Sequence, residues 1–486
     1  MKNKICVPSS DEVFAIFKRL NQIPRPSWHE EKVADFLCDF ASRLHLEYKR
    51  DKQNCVVIKK PATQGYEQVE PVVILNHCDM VCVAEEGKMF FPLNDAIESY
   101  EDNGWLKAKG TSLGADNGIG LSMALAVLQD DSIVHGPIEV IATTNEEDGM
   151  TGAANLTPDF ITGRKIINLD SEDYDTITVG SAAAYLQFST IPFHTSETPV
   201  GYAFYRLDIK GGLGGHSGVD INKGRANANK IICSLLNEMK CRFEVVVAEI
   251  NGGEANNSIA VSSEAIIGVS EKEKNLFEKS VDACFISLKS PYSQTDKSLS
   301  YKLQLVMRPS RIIAKEISNV LLESVDDLPY GALKMSESLE NTVETSNNTG
   351  MIRTNEKDIF ISNYSRSFID NEVVMLGNSI KGILDKAGAK TEIIMSAPAW
   401  KSDFSSPFIQ LAENIFVNVL GFKPRRVAMH FALEAGYFVE KYSGVEIVSI
   451  GPKIIEPHSV TERVDISTIN DIWKVFVNLL YCIAMQ

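Results

Sequence analysis

Apolar positions first recur at helical spacing. Val33, Phe36, Leu37, Phe40 and Leu44 repeat at three- and four-residue steps and share one helix face. The segments Ser9-Ser10-Asp11-Glu12 and Ser27-Trp28-His29-Glu30 each set a glutamate three residues after a serine, a capping-box pattern that predicts two helix starts. An alternating polar strand pair is predicted over 47–59. The run Pro71-Val72-Val73-Ile74-Leu75 has no alternation, which predicts a parallel strand covered on both faces. A helix over 116–128 and strands over 138–142 and 165–169 continue the βαβ rhythm of a doubly wound sheet.

Beyond about residue 185 the strands turn amphipathic, as over 204–209 and 301–306. Helices predicted over 222–239, 273–288, 312–322 and 371–384 separate them. One polar face per strand predicts a sheet with helices on one side only. Near Pro398 the buried pattern returns, with a helix over 408–419, a strand over 445–450 and an amphipathic helix from Ile466 onward. The expected fold is α/β: a doubly wound mixed sheet with an inserted α+β lid domain. Residues 1–184 and 400–486 form the catalytic domain and 185–399 the lid, whose strand–helix order runs roughly twice and hints at two lobes.

Composition narrows the partners. The 486 residues exceed what one core organises, and a hydrophobic fraction of 44% with 23% charged residues supports packed domains. Lys plus Arg is 48 and Asp plus Glu is 64, a net charge of −16 that repels phosphate backbones and anionic lipid. Nucleic acid and membrane are therefore not expected partners. Residues 1–10 hold no apolar leader run, and no apolar stretch reaches the roughly 20 residues of a membrane span, so a cytoplasmic protein is expected. Nine scattered cysteines, Cys6 among them, with no CxxC pair, are read as reduced thiols.

Chemistry-bearing groups gather at the carboxyl ends of the predicted parallel strands, where ligands sit in open α/β sheets. His77 and Asp79 follow the first strand and share a face of extended backbone. Adjacent Glu146 and Glu147 follow the second, and Asp170 follows the third. A glycine-rich turn, Gly110 to Gly118, delivers Asp116 to a helix start. Like charges side by side are costly unless a cation or separate tasks justify them. Imidazole and carboxylate without thiolate suit zinc, manganese or cobalt, and a two-metal hydrolytic centre is the sharp reading.

Five ordered motifs, Asn76-His77-Cys78-Asp79-Met80-Val81, 112–118 with Asp116-Asn117-Gly118, Thr144-Asn145-Glu146-Glu147, Asn168-Leu169-Asp170-Ser171-Glu172 and the glycine-rich 211–218, together with the late His458, resemble the zinc-dependent exopeptidase family of carboxypeptidase G, aminoacylase and cytosolic dipeptidases. The resemblance spans essentially the whole chain. It implies two divalent metal ions, with Asp116 bridging them, His77 and Asp170 completing one and Glu147 and His458 the other. It makes Glu146 the general base and Asp79 the residue that orients His77, and it implies a cis Asp116–Asn117 peptide.

On the lid, the resemblance implies that His216 hydrogen-bonds the oxyanion and that Asn257 and Arg366 grip the substrate carboxylate, with domain closure assembling the site. His430 to Gly436 resembles the family's His-Ala-Gly-Leu-Glu-Cys-Gly, yet Ala432 stands where a glycine backbone usually approaches the substrate. The implied activity is hydrolysis of short peptides, Xaa-His and other dipeptides. Action on N-acyl amino acids is the alternative within the family. A fold that binds peptides without cleaving them is a further alternative, opposed by the complete ligand set. Whether the assembly is a homodimer is left open.

Gly110-Thr111-Ser112-Leu113-Gly114 also matches the G-x-S-x-G nucleophile elbow, but 105–109 alternates as an exposed strand where an elbow needs a buried one. The stretch Gly212 to Ser217 misses the last glycine of a dinucleotide fingerprint and reads as a turn.

Overall fold

The unalternating run becomes the strand Val72–His77, buried along its whole length inside an eight-stranded sheet. The computed structural model describes residues 7–337, 339, 341–401 and 403–486; Cys6 and the first residues of the leader reading lie outside the described residues. The chain divides into two compact units. One comprises Met1–Gly180, Trp400–Ala428 and Leu433–Gln486, the other Ser181–Ala399 and Met429–Ala432.

In the first unit the strand order is Glu47–Arg50, Val56–Lys60, Ile138–Thr143, Val72–His77, Lys165–Asn168, Glu446–Ser449, Thr176–Ser181, Arg425–Met429. Pairing is parallel among Ile138–Thr143, Val72–His77, Lys165–Asn168 and Glu446–Ser449, and antiparallel between Val56–Lys60 and Ile138–Thr143. This is a mixed α/β sheet. Register pairs Asn76 with Ala142 and Leu75 with Asn168, so three neighbouring strands end at one level. The functional side chains follow those ends. The helix Ala115–Gln129, apolar nearly all round, is buried on almost every face, as such a composition requires. The helices Pro407–Leu420 and Ile466–Ala484 complete the core through Phe408, Phe416, Trp473 and Phe476.

Neither capping box forms as the sequence pattern predicts. Ser9, the serine of the first box, accepts only from the N–H of Asp11 at 3.3 Å, and the N-cap falls on Ser10, whose hydroxyl bonds Asn470 rather than the helix. The second helix starts at Glu31 with Glu30 as N-cap, and the Ser27 hydroxyl instead donates to Asp79 Oδ2 at 2.8 Å.

The second unit carries one continuous sheet in the order Ser300–Val306, Tyr202–Lys210, Ser263–Ser270, Val246–Gly252, Val343–Thr354, Asp358–Ser367, Ala183–Pro192, Lys390–Ala397, with Gly331–Met335 pairing against Val343–Thr354. Helices Ala228–Lys240, Lys274–Lys289, Lys315–Asp327 and Asp370–Asp385 accompany it. The first of these starts six residues later than its periodicity predicts, because the Asn227 side chain accepts from the N–H groups of Asn229 and Lys230 and caps it there. Ile312, predicted helical, lies in the short strand Arg311–Ile313. The expectation of one polar face per strand fails for Ser346, Asn347, Asn348 and Thr349. All four are buried, with Asn347, Asn348 and Thr349 bonded to Pro329 O, Ser258 O and Asn363 Oδ1.

Candidate active site

His77 ends its strand buried, with Nε2 3.1 Å from Asp116 Oδ1 and 3.3 Å from Asp170 Oδ1. Its Nδ1 lies 3.2 Å from the main-chain oxygen of Asp79 and 3.4 Å from its Oδ1. The second oxygen of Asp116 is 3.1 Å from His458 Nε2, which lies 2.8 Å from Glu147 Oε2. Two donor trios result, His77 with Asp116 and Asp170, and Asp116 with Glu147 and His458, each with its atoms within 4.8 Å of one another. Asp116 is the shared member. The Asp116–Asn117 peptide is cis.

The turn after Ile138–Thr143 is built to separate its two glutamates. Asn145, at φ 54, receives the Glu30 carboxylate on its N–H, and Asp79 accepts from the N–H of Glu146 at 3.1 Å and of Glu147 at 3.3 Å. Glu147 joins a trio. The Glu146 carboxylate pairs with no side chain among the described residues.

Charge tests whether metal belongs here. Asp116, Glu146, Glu147, Asp170 and Glu434 face two imidazoles, and among the described residues no Lys or Arg ion-pairs with any of the five. Glu147 Oε1 is buried without a hydrogen-bond partner, and buried Asp170 Oδ1 has only the His77 ring, at 3.3 Å. Burial raises the Glu146 pKa well above the carboxylate range and that of Asp170 to about 8. Burial opposes a charged His458, yet hydrogen bonds to Asp116 and Glu147 push it up to about 11. His77 is likewise raised against its burial, by Asp170 and Asp116. These shifts are of the kind a bound cation would relieve. The residues could hold divalent metal.

Two buried residues beside the cluster, Glu462 and Arg25, have no signal in the sequence. Glu462 accepts the N–H groups of Leu113, Gly114 and Ala115 at 2.7–2.9 Å. Buried Arg25 donates to the carbonyls of Cys78, Asp79 and Gly114. Glu434, inside the His430 to Gly436 motif, is buried, accepts from the Thr143 hydroxyl at 2.6 Å and is raised by burial to about 7. The Ser112 hydroxyl, the elbow candidate, is spent on Val81 O at 2.7 Å.

A second group sits in the other unit. Arg366, on Asp358–Ser367, is 2% exposed, yet among the described residues no carboxylate pairs with it. Its guanidinium lies 3.9 Å from the Tyr364 ring centroid, its Nη2 is 3.5 Å from Ser217 Oγ, and its Nε has no partner. Such a cation calls for an anion. The His216 Nδ1 accepts from the N–H groups of Gly218 and Val219, so the neutral ring carries its proton on Nε2. Burial and Arg366 lower His216 to about 4, keeping it neutral. His430 Nε2 lies 2.7 Å from Ser346 Oγ, and burial, Arg366 and His216 lower it to about 3. Asn257 is exposed, and its main-chain oxygen accepts from Ser217 N–H; neighbouring Asn256 holds the buried, unpartnered Oδ1. Ala432 is half-buried.

The depressed His430 makes a testable contribution to stability. The unfolded chain binds its proton at the ordinary 6.5 and the folded one only near 3, so the contribution is full above pH 6.5 and is lost as pH falls through that window. The thermal midpoint gap between the wild type and His430→Gln is expected to shrink between about pH 7 and about pH 4. A constant gap would contradict this.

The model of peptidase family M20/M25/M40 matches residues 73–481. The chain belongs to this family. It is 33% identical over 472 residues, 97% of both chains, to the cytosol non-specific dipeptidase of Escherichia coli strain K12. A solved aminoacylhistidine dipeptidase from Vibrio alginolyticus superposes with a TM-score of 0.90 at 33% identity, covering 99% of this chain and 98% of that one. A tripeptidase from Staphylococcus aureus shares the fold, at TM-score 0.58 and 16% identity over 99% of this chain and 100% of that one. Among the described residues no helix is long and apolar enough to cross a membrane.

Proposed function

We propose that this family member is a metal-dependent dipeptidase of the cytoplasm, acting on Xaa-His and other dipeptides through two divalent metals, zinc first, with manganese or cobalt as substitutes. The observation that carries the reading is Asp116 shared between two His-and-carboxylate trios, with an unpaired glutamate on the adjoining turn. His77 and Asp170 would hold one ion, Glu147 and His458 the other, and Asp116 both. Bound there, the metals would acidify a water and polarise the scissile carbonyl.

The chain's own groups do the rest. Glu146 takes the proton of the attacking water and passes it to the leaving amine, a task its burial-raised pKa suits. Asp79 orients His77 and, through two N–H groups, the turn that presents Glu146 and Glu147. On the unit we read as the lid, His216 is assigned to the oxyanion, supported by its neutral ring with the proton on Nε2. Arg366, with Asn257 and the His430 to Ala432 backbone, is assigned to the substrate's free carboxylate. That anchor favours dipeptides over longer chains.

Chelation is the direct test. Stripping metal is expected to lower dipeptide hydrolysis by at least about 100-fold, with recovery on adding zinc, manganese or cobalt, while a serine-directed phosphonate leaves it unchanged. Activity that survives chelation and yields to the phosphonate would return the chemistry to Ser112. A panel with and without C-terminal histidine, and N-acyl amino acids beside it, resolves the substrate class.

A further inference from the structure

We propose that Glu462 and Arg25 are positioning residues that set the distance between the two donor trios by clamping the Asp116 turn. The proposal rests on the reading of Asp116 as the shared ligand. Glu462 Oε2 accepts from Leu113 N–H at 2.7 Å and Gly114 N–H at 2.9 Å, and Oε1 accepts from Ala115 N–H at 2.8 Å and Asp116 N–H at 3.4 Å. Four successive donors leading into Ala115–Gln129, without another partner among the described residues, converge on one carboxylate that is 3% exposed. Glu462 stands four residues after His458. It therefore ties the segment carrying one end ligand to the turn carrying the shared one.

Arg25 makes the complementary tie. Its Nη2 donates to Gly114 O at 2.7 Å, and its Nη1 donates to Cys78 O at 3.1 Å and Asp79 O at 2.9 Å. The same turn is thus joined to the segment that follows His77. The turn is shaped for this cation: Gly114 adopts φ +68, and a Cβ on Gly114 or Gly118 would stand 2.6 Å from Nη2. Two buried side chains of opposite charge, one on the N–H groups and one on a carbonyl of a single turn, lock the segments of His77, Asp116 and His458 together. Ligand atoms must be held within about 0.5 Å for tight metal binding, and a glycine-rich turn does not achieve that alone.

Glu462→Gln tests the clamp at constant shape. The amide keeps one acceptor and replaces the other with a donor, so two of the four N–H groups lose their partner. Zinc titration of the metal-stripped variant is expected to show affinity lowered by about 10- to 100-fold, with kcat reduced, KM for a dipeptide within about twofold, and kcat recovered at high metal. Arg25→Lys, which keeps the charge but lacks the fork that spans three carbonyls, is expected to do the same. Ile483→Ala, a core truncation near the end of the last helix, serves as the control that lowers stability without lowering affinity.

Unchanged zinc affinity in both variants would overturn the proposal, as would failure of both to fold, which would assign the pair to folding alone. The titration needs no substrate. A wild type that binds zinc but cleaves no dipeptide defeats the proposed function and leaves this inference standing.

Discussion

Replacing Glu146 with glutamine is expected to lower kcat by about 10³-fold while zinc uptake stays at the wild-type level. Glutamine matches the shape of glutamate and keeps the turn, whose conformation is held through the main-chain N–H groups of Asn145, Glu146 and Glu147 rather than through the Glu146 side chain. What disappears is the ability to receive a proton. Glu147, one residue on, offers the contrast: its carboxylate contacts His458 at 2.8 Å and belongs to a donor trio, so Glu147→Gln is expected to lose metal as well as turnover. Kinetics and metal analysis on the two variants separate the roles. Glu146→Gln that turns over normally would move the base elsewhere, and one that loses zinc would place Glu146 among the ligands.

Local patterns made much of the first unit legible. The strand Val72–His77 announces itself as an unbroken apolar run because both its faces are covered, and the groups following Val72–His77, Ile138–Thr143 and Lys165–Asn168 stand at one level because parallel register aligns those ends. The structure brings His77, Asp116, Glu147, Asp170 and His458 together. Arg25 and Glu462 were not legible for a physical reason. Their partners are main-chain groups, and Glu462 reaches its turn across 349 residues of sequence, so no side-chain pattern or spacing records the contact. Ser27 misled in the opposite sense, since a serine three residues before a glutamate fits a cap, whereas its hydroxyl is drawn to Asp79. In the second unit Ser346 to Thr349 broke the rule that polar strand positions face water, because their side chains find partners inside the protein.

Removing the guanidinium in Arg366→Met is expected to lower kcat/KM for dipeptides by about 100-fold, or about 2.8 kcal/mol at 1.4 kcal/mol per tenfold. A buried cation without a carboxylate partner among the described residues is expensive to keep, and Tyr364 and Ser217 compensate it only in part. An incoming carboxylate would complete the set, since the planar fork can bind one through two parallel hydrogen bonds. The loss should therefore depend on the substrate's terminal carboxylate. Dipeptide amides, which lack it, are expected to be poor substrates of the wild type and to lose less than about threefold more in the variant. Lysine at this position should recover only part of the rate, because a point charge lacks the fork. Because the unpaired cation is itself costly, Arg366→Met is also expected to leave the protein at least as stable as the wild type, which separates lost recognition from lost fold. Equal losses on dipeptides and their amides would remove Arg366 from carboxylate recognition and leave the buried cation without a ligand to explain it.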